Sequence, residues 1–321
     1  MKAIRVHEFG GPEVLKLEDC QEPHPGPKQV LIRVKAAGVN PYDTYMRSGA
    51  YGARNPSLPY TPGSDAAGII ERVGPEASQL TIGERVYTTG TISGAYAELA
   101  LCDCEHVHKL PEAASFSQGA AIYVPYATAY RSLFQLARSQ RSETVLIHGA
   151  SGGVGIAAIQ LARSAGLIVI GTAGTEKGLE LVKAMGAHHA VNHKVPDYHK
   201  EILEISGGRG VDVILEMLAN VNLGQDLKLL AQRGRVVVVG SRGNVEITPR
   251  DLMSREATII GMFLWGVSKP EQAEIHTALQ TALGTGSLHP FIGCTLPLKD
   301  AAEAHRRLME PGALGKIVLL P

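Results

Sequence analysis

The chain has 321 residues, a length that points to two domains. With 45% hydrophobic and 19% charged residues it is not an intrinsically disordered chain. Lysine plus arginine and aspartate plus glutamate both number 31, so no net field draws it onto nucleic acid or an acidic membrane.

Short apolar runs at residues 3–6, 14–18, 30–39, 66–73, 85–88 and 96–101 predict strands, with Gly, Pro, Asn and Asp between them. Half of the 18 prolines precede residue 76, which disfavours helices there and favours barrel corners. This part is expected to form a compact barrel with long loops. Ser117 is a candidate cap for a helix over residues 118–137, where apolar residues recur at helical spacing.

From residue 144 the rhythm changes. Apolar strands are predicted at 145–148, 167–172, 189–192, 211–218, 235–240 and 257–263. Helices are predicted between them at 156–165, 178–185, 198–205 and 223–231. Apolar strands alternating with helices indicate a parallel sheet covered on both faces, a doubly wound nucleotide-binding arrangement. Helices at 273–283 and 299–309 and a last strand at 316–320 are too little for a domain, so the tail is expected to fold back onto the barrel.

The longest apolar stretch, residues 257–267, is far short of the ~20 that a membrane helix needs. The start, MKAIRVHEFGG, has no apolar segment of a secretory leader. Cys20, Cys102, Cys104 and Cys294 are scattered and form no disulfide framework, so a reducing, cytoplasmic setting is expected.

Between the first parallel strand and its helix stands Gly149-Ala150-Ser151-Gly152-Gly153-Val154-Gly155. This is the G-x-G-x-x-G fingerprint with Ala150 in the first glycine place. Gly152 lets backbone approach a pyrophosphate, Gly155 lets helix and strand pack closely, and the helix N-terminus offers N–H groups to the anion. Ser151, Gly152, Gly153 and Val154 are therefore candidate cofactor contacts. At the end of the second strand, Gly171-Thr172-Ala173-Gly174-Thr175 carries no acid to hold a ribose 2′-hydroxyl. Lys177 and His193 stand where a 2′-phosphate would be met, which favours NADPH. Each is equally well read as an ordinary surface residue. Ligands bind beyond the carboxyl ends of such strands. Gly174, Asn220 and Asn222, then Val239, Gly240, Ser241 and Arg242, then Met262, Phe263 and Leu264 are further candidates; for Arg242 a plain turn role is as good a reading.

The segments PGSDAAG (62–68), GERV (83–86), TISGAYAE (91–98), HGASGGVG (148–155), GTAGTEKG (171–178), EMLANVNL (216–223) and VGSRG (239–243) together resemble the medium-chain dehydrogenase/reductase superfamily. Within it they resemble the zinc-free quinone oxidoreductases of the zeta-crystallin group, over essentially the whole chain. The resemblance implies an α/β protein with a GroES-like β-barrel domain (1–124 and 265–321) and a doubly wound parallel-sheet Rossmann domain (125–264) that binds NADP. It also implies NADPH-dependent reduction of a small quinone, including one-electron transfer that yields a semiquinone as one route, and assembly into a homodimer or homotetramer. Tyr45 is implied to lie beside the nicotinamide as a catalytic and cofactor-binding residue, with Asn40 and Asp43 in the substrate cleft and Thr128 and Tyr51 as weaker contacts. A tyrosine hydroxyl there can donate a hydrogen bond or proton to a developing oxyanion; packing for Tyr45 and a turn for Asn40 are the plain alternatives.

No metal is expected. Where zinc-dependent relatives carry a G-V-C and a G-H-E segment, this chain has Gly38-Val39-Asn40 and Gly63-Ser64-Asp65, poor replacements for thiolate and imidazole. Two rival functions remain. One is an NADPH-dependent reductase of activated C=C bonds (2-alkenals, enones or enoyl thioesters). The other is a non-enzymatic lens structural role or binding of AU-rich RNA, to which the absence of a basic stripe lends no support. The 257–265 segment is the candidate strand for pairing across a two-fold axis.

Overall fold

A computed structural model describes residues 1–77, 79–312 and 314–321. In chain order the elements are β1 (Lys2–Arg5), β2 (Lys16–Asp19), β3 (Gln29–Val39), α1 (Pro41–Arg47), β4 (Asp65–Val73), β5 (Arg85–Thr88), β6 (Leu99–Asp103), β7 (Val107–Lys109), α2 (Phe116–Gly119) and α3 (Thr128–Tyr130). Then come β8 (Thr144–Ile147), α4 (Gly153–Ser164), β9 (Ile168–Ala173), α5 (Glu176–Ala184), β10 (His189–Asn192), α6 (Tyr198–Ile205), β11 (Val211–Glu216) and α7 (Ala219–Leu229). The last are β12 (Leu230–Val238), α8 (Pro249–Met253), β13 (Thr258–Gly261), α9 (Lys269–Gly284), β14 (Ile292–Pro297), α10 (Ala301–Met309) and β15 (Lys316–Leu320).

The chain forms two compact units: Met1–Val124 with Pro290–Pro321, and Pro125–His289. The first is built on β3, whose 11 residues pair with β4, β6 and β15. Two register shifts bend β3 against β4, at Leu31/Ile32 and Val34/Ala36, as a barrel-like sheet requires. Its inward residues Val30, Ile32 and Val34 join Val86, Tyr96 and Leu319 in one core. The tail returns as expected: Ile317, Val318 and Leu319 pair with Val39, Gly38 and Ala37.

The second unit is a six-stranded sheet in the order β10-β9-β8-β11-β12-β13, with every pairing parallel. Counting only its own strands, the order is 3-2-1-4-5-6, the doubly wound arrangement with its switch point beside the first strand. Val145, Leu146, Ile147, Val213, Ile214, Val236 and Val237 are fully buried, which explains why these strands are apolar along their whole length.

Several expectations are corrected. The helix foreseen over 118–137 is broken into α2, a π-helical stretch at Tyr123–Ala127, α3, and a second π-helical stretch at Arg131–Leu136. Pro125 has no N–H for an ordinary helical ladder. The cap is Ser115, not Ser117: Ser115 Oγ accepts from Gln118 N at 3.2 Å and Gln118 Oε1 accepts from Ser115 N at 2.9 Å. Residues 41–47, for which no helix was predicted, form α1, with Pro41 in its first turn. The return to the first unit comes at Pro290 rather than at residue 265. Helix α9 stays with the second unit because Gln135 Nε2 donates to Glu271 O and Glu274 Oε2, both at 3.0 Å, and Arg131 pairs with Glu271 at 3.1 Å.

Candidate functional sites in the two units

In the second unit the chain leaves β8 through His148 and Gly149 and enters α4 with Gly152 as N-cap. The turn is tied down by Ala150 N donating to Thr172 O at 2.8 Å. A Cβ on Gly155 would lie 2.5 Å from Ala150 Cα and 2.6 Å from Gly149 O, so only glycine permits this approach of helix to turn. A Cβ on Gly152 would meet only Gly149 O, at 3.4 Å, which leaves that side of the turn open. The N-cap residue Gly152 has no side chain to cap α4, and Ile156 N donates to Gly152 O at 2.9 Å. The N–H groups of Gly153, Val154 and Gly155 thus precede the ladder, at the positive end of the helix dipole. Ser151 is buried beside them, near the Cβ position of Gly178.

The other candidates of this unit follow the strand ends. After β9, Gly174 adjoins His193: a Cβ at 174 would lie 2.6 Å from His193 Nε2. Thr175 caps α5, its Oγ1 accepting from Gly178 N at 3.1 Å. Lys177 is exposed in the first turn of α5, where a cation opposes the helix dipole, so helix stability does not account for it. Burial, then the neighbouring His148 and Lys194, hold His193 below the usual imidazole range. After β12, Val239 N and Gly240 N donate to Glu216 O at 2.8 and 3.2 Å, and Arg242 N donates to Asn220 Oδ1 at 2.8 Å. Ser241 Oγ donates to Gly243 O at 2.9 Å. After β13, Met262 N donates to Val238 O at 2.9 Å, Phe263 is exposed and Leu264 is buried. Thr128 is buried in α3, its carbonyl accepting from Ser132 Oγ at 2.7 Å.

A cavity of about 410 Å³ lies among these strand ends, lined by His148, His193, Tyr198, Leu218, Val221 and Asn222. Beneath it is a cluster that the sequence reading missed. His148 Nε2 is 2.9 Å from Asp226 Oδ1 and 3.5 Å from Glu216 Oε2. All three residues are buried. Burial raises the Glu216 carboxyl to about 7 and the Asp226 carboxyl to about 7, and it lowers His148. The only signals in the sequence were a histidine closing one apolar strand and a glutamate within another; Asp226, in α7, gave none.

In the first unit α1 carries Asn40 as N-cap, Asp43 and Tyr45. Asp43 Oδ2 accepts from Asn40 N at 2.9 Å and from Tyr96 OH at 3.1 Å. Tyr96 OH is 3.2 Å from His305 Nε2. Burial pushes Asp43 up to about 7 and His305 down to about 3. Tyr45 is half-buried, edge-on to Tyr51 with ring centroids 6.4 Å apart. Asp43 also lines a cavity of about 410 Å³ with Tyr42, Tyr60, Ser64 and Thr91.

Asn40, Asp65 and Lys316 form a buried polar trio in this unit. Lys316 Nζ lies 3.0 Å from Asp65 Oδ2 and donates to Asn40 Oδ1, and Asn40 Nδ2 donates to Asp65 Oδ2 at 3.0 Å. A buried ammonium holds the only carboxylate of this trio, whereas a catalytic zinc takes three protein ligands. These residues do not fit a zinc ion.

Residues 26–112 match the alcohol dehydrogenase GroES-like domain and residues 153–283 the zinc-binding dehydrogenase family. The chain is 54% identical over 322 residues to a human quinone oxidoreductase, covering 100% of this chain and 98% of that one. A Burkholderia 2-haloacrylate reductase is 34% identical over 331 residues, covering 99% and 98%. Among solved structures, an Escherichia coli quinone oxidoreductase complexed with NADPH superposes with a TM-score of 0.91 at 31% identity, each chain fully covered.

Proposed function

Because the chain belongs to the quinone oxidoreductase family of the medium-chain dehydrogenases/reductases, we propose that it is an enzyme that reduces small quinones with NADPH. The observation that carries this reading is the N-terminus of α4, with glycine as its N-cap and the open face of Gly152 before it. That end of the helix holds the paired phosphates, with Ser151, Gly153 and Val154 around it. Lys177, placed against its own helix dipole, and His193 take the 2′-phosphate, and no carboxylate at the end of β9 repels it. Gly174, Asn222, the 239–242 loop, the 262–264 segment and Thr128 complete the contacts. NADPH, when bound, supplies the hydride. Reducing a quinone to a hydroquinone then needs one proton, which Tyr45 delivers from its hydroxyl, with Asn40 and Asp43 lining the substrate's place.

A quinone becomes aromatic on reduction, so it needs less polarisation than a ketone. The Lys316–Asp65–Asn40 trio supports a metal-independent reaction, and chelation is expected to leave turnover unchanged. Strand β13 stands at the open edge of the parallel sheet, followed by exposed Phe263 and Trp265; this supports pairing into a homodimer or homotetramer. The four cysteines are free thiols and no helix among the described residues is long and apolar enough to cross a membrane; we assign the protein to the cytoplasm.

The relationship to a 2-haloacrylate reductase favours a second reading, reduction of activated C=C bonds at the same site. Turnover with NADPH and either 9,10-phenanthrenequinone or a 2-enoyl thioester separates the two. Quinone turnover without thioester turnover is expected; the reverse overturns the quinone assignment.

A further inference from the structure

The cavity among the strand ends has flat walls suited to an aromatic ring: the imidazoles of His148, His193 and His199, the phenol ring of Tyr198, and Leu218 and Val221. One polar group at its edge has a fixed orientation. Glu216, fully buried, ends β11, and its Oε1 accepts the backbone N–H of Leu218. That oxygen is therefore an acceptor, and the end of the Asn222 amide 3.1 Å from it must be the NH₂ end. The other carboxyl oxygen, Oε2, is buried 3.5 Å from His148 Nε2 with no hydrogen-bond partner among the described residues, so the amide is anchored through Oε1. With its NH₂ anchored, Asn222 turns its carbonyl oxygen away from Glu216. That oxygen accepts no hydrogen bond among the described residues, and Asn222 lines the cavity.

The geometry points to Asn222 as the residue that selects the base of the dinucleotide, its carbonyl oxygen accepting from the exocyclic amine of adenine, with Glu216 as the positioning residue that keeps the amide from flipping. The inference rests on the dinucleotide reading above and adds a specificity to it. A 6-oxo base would set acceptor against acceptor, leaving both unsatisfied, and a site built to hydrogen-bond one group rejects the analogue lacking it.

The test is titration of protein fluorescence with NADPH and with its hypoxanthine analogue, which differs only at the 6-position and keeps both riboses. The wild-type chain is expected to bind the analogue at least ~10-fold more weakly, and Asn222→Ala to bring the two within ~2-fold. Glu216→Met removes the anchor and is expected to narrow the ratio in the same way. Glu216→Gln keeps an oxygen for Leu218 and Asn222 and is expected to restore the preference. Equal affinities in the wild-type chain, or an unchanged preference in Asn222→Ala, would overturn the inference. Failure of both dinucleotides to bind would instead remove the NADPH reading beneath it.

Discussion

The two units bury carboxylates in opposite ways. In the first, Asp65 is held by the Lys316 ammonium at 3.0 Å and by the Asn40 amide at 3.0 Å, a fixed counter-charge in a solvent-free place. In the second, Glu216 and Asp226 lie beside His148, and among the described residues no lysine or arginine pairs with either. Burial pushes both carboxyls up to about 7, so protons do there what the ammonium does in the first unit. Asp43 lies between these cases: burial raises it to about 7 although Lys316 and the Asn40 N–H pull it down. Carboxyls raised to about 7 change their charge over the ordinary pH range.

The largest expected effect comes from breaking the permanent pair. Lys316→Met leaves Asp65 buried without its cation, and removal of one member of a buried ion pair costs about 3–5 kcal/mol. Urea denaturation at neutral pH should show that loss; a midpoint close to wild type would mean that the ammonium does not compensate Asp65.

The second prediction concerns the protonic cluster. Asp226 has a higher pKa folded than unfolded, so the native state binds more protons and stability falls as pH rises from about 4 to about 7. Asp226→Asn removes that loss and should flatten the slope of stability against pH in this window, by about 1–3 kcal/mol across it. A slope identical to wild type would show that Asp226 does not hold the proton. The smallest effect is expected from Tyr96→Phe, which deletes one hydrogen bond to Asp43 and should cost about 1 kcal/mol in thermal or urea unfolding.

The same contrast explains what was legible in the sequence. The parallel sheet was readable because VLI, VDVIL and RVVVV need burial on both faces, and the glycine turn because its spacing reflects steric contacts within seven residues. Helix α1 was missed because Asn40-Pro41 serves equally as a turn and as an N-cap with proline following it. The break in the 118–137 helix was hidden because apolar spacing does not report the ladder's pitch. The fate of α9 was hidden because periodicity shows a helix but not the residues it docks on, Gln135 and Arg131. Both buried networks join residues far apart in the chain: His148 meets Asp226 across 78 positions, and Lys316 meets Asp65 across 251. No local pattern marks such pairs.

The central claim is that the turn ending at Gly155, with Lys177 and His193 beyond it, accommodates a dinucleotide bearing a 2′-phosphate. Titrating the protein with NADPH and with NADH, in the wild-type chain and in Lys177→Ala, tests it most directly. NADPH is expected to bind at least ~10-fold more tightly, and the substitution to erode that preference while leaving NADH binding unchanged, since a charge-assisted contact contributes about 1.5–3 kcal/mol. Equal or tighter binding of NADH to the wild-type protein would contradict it.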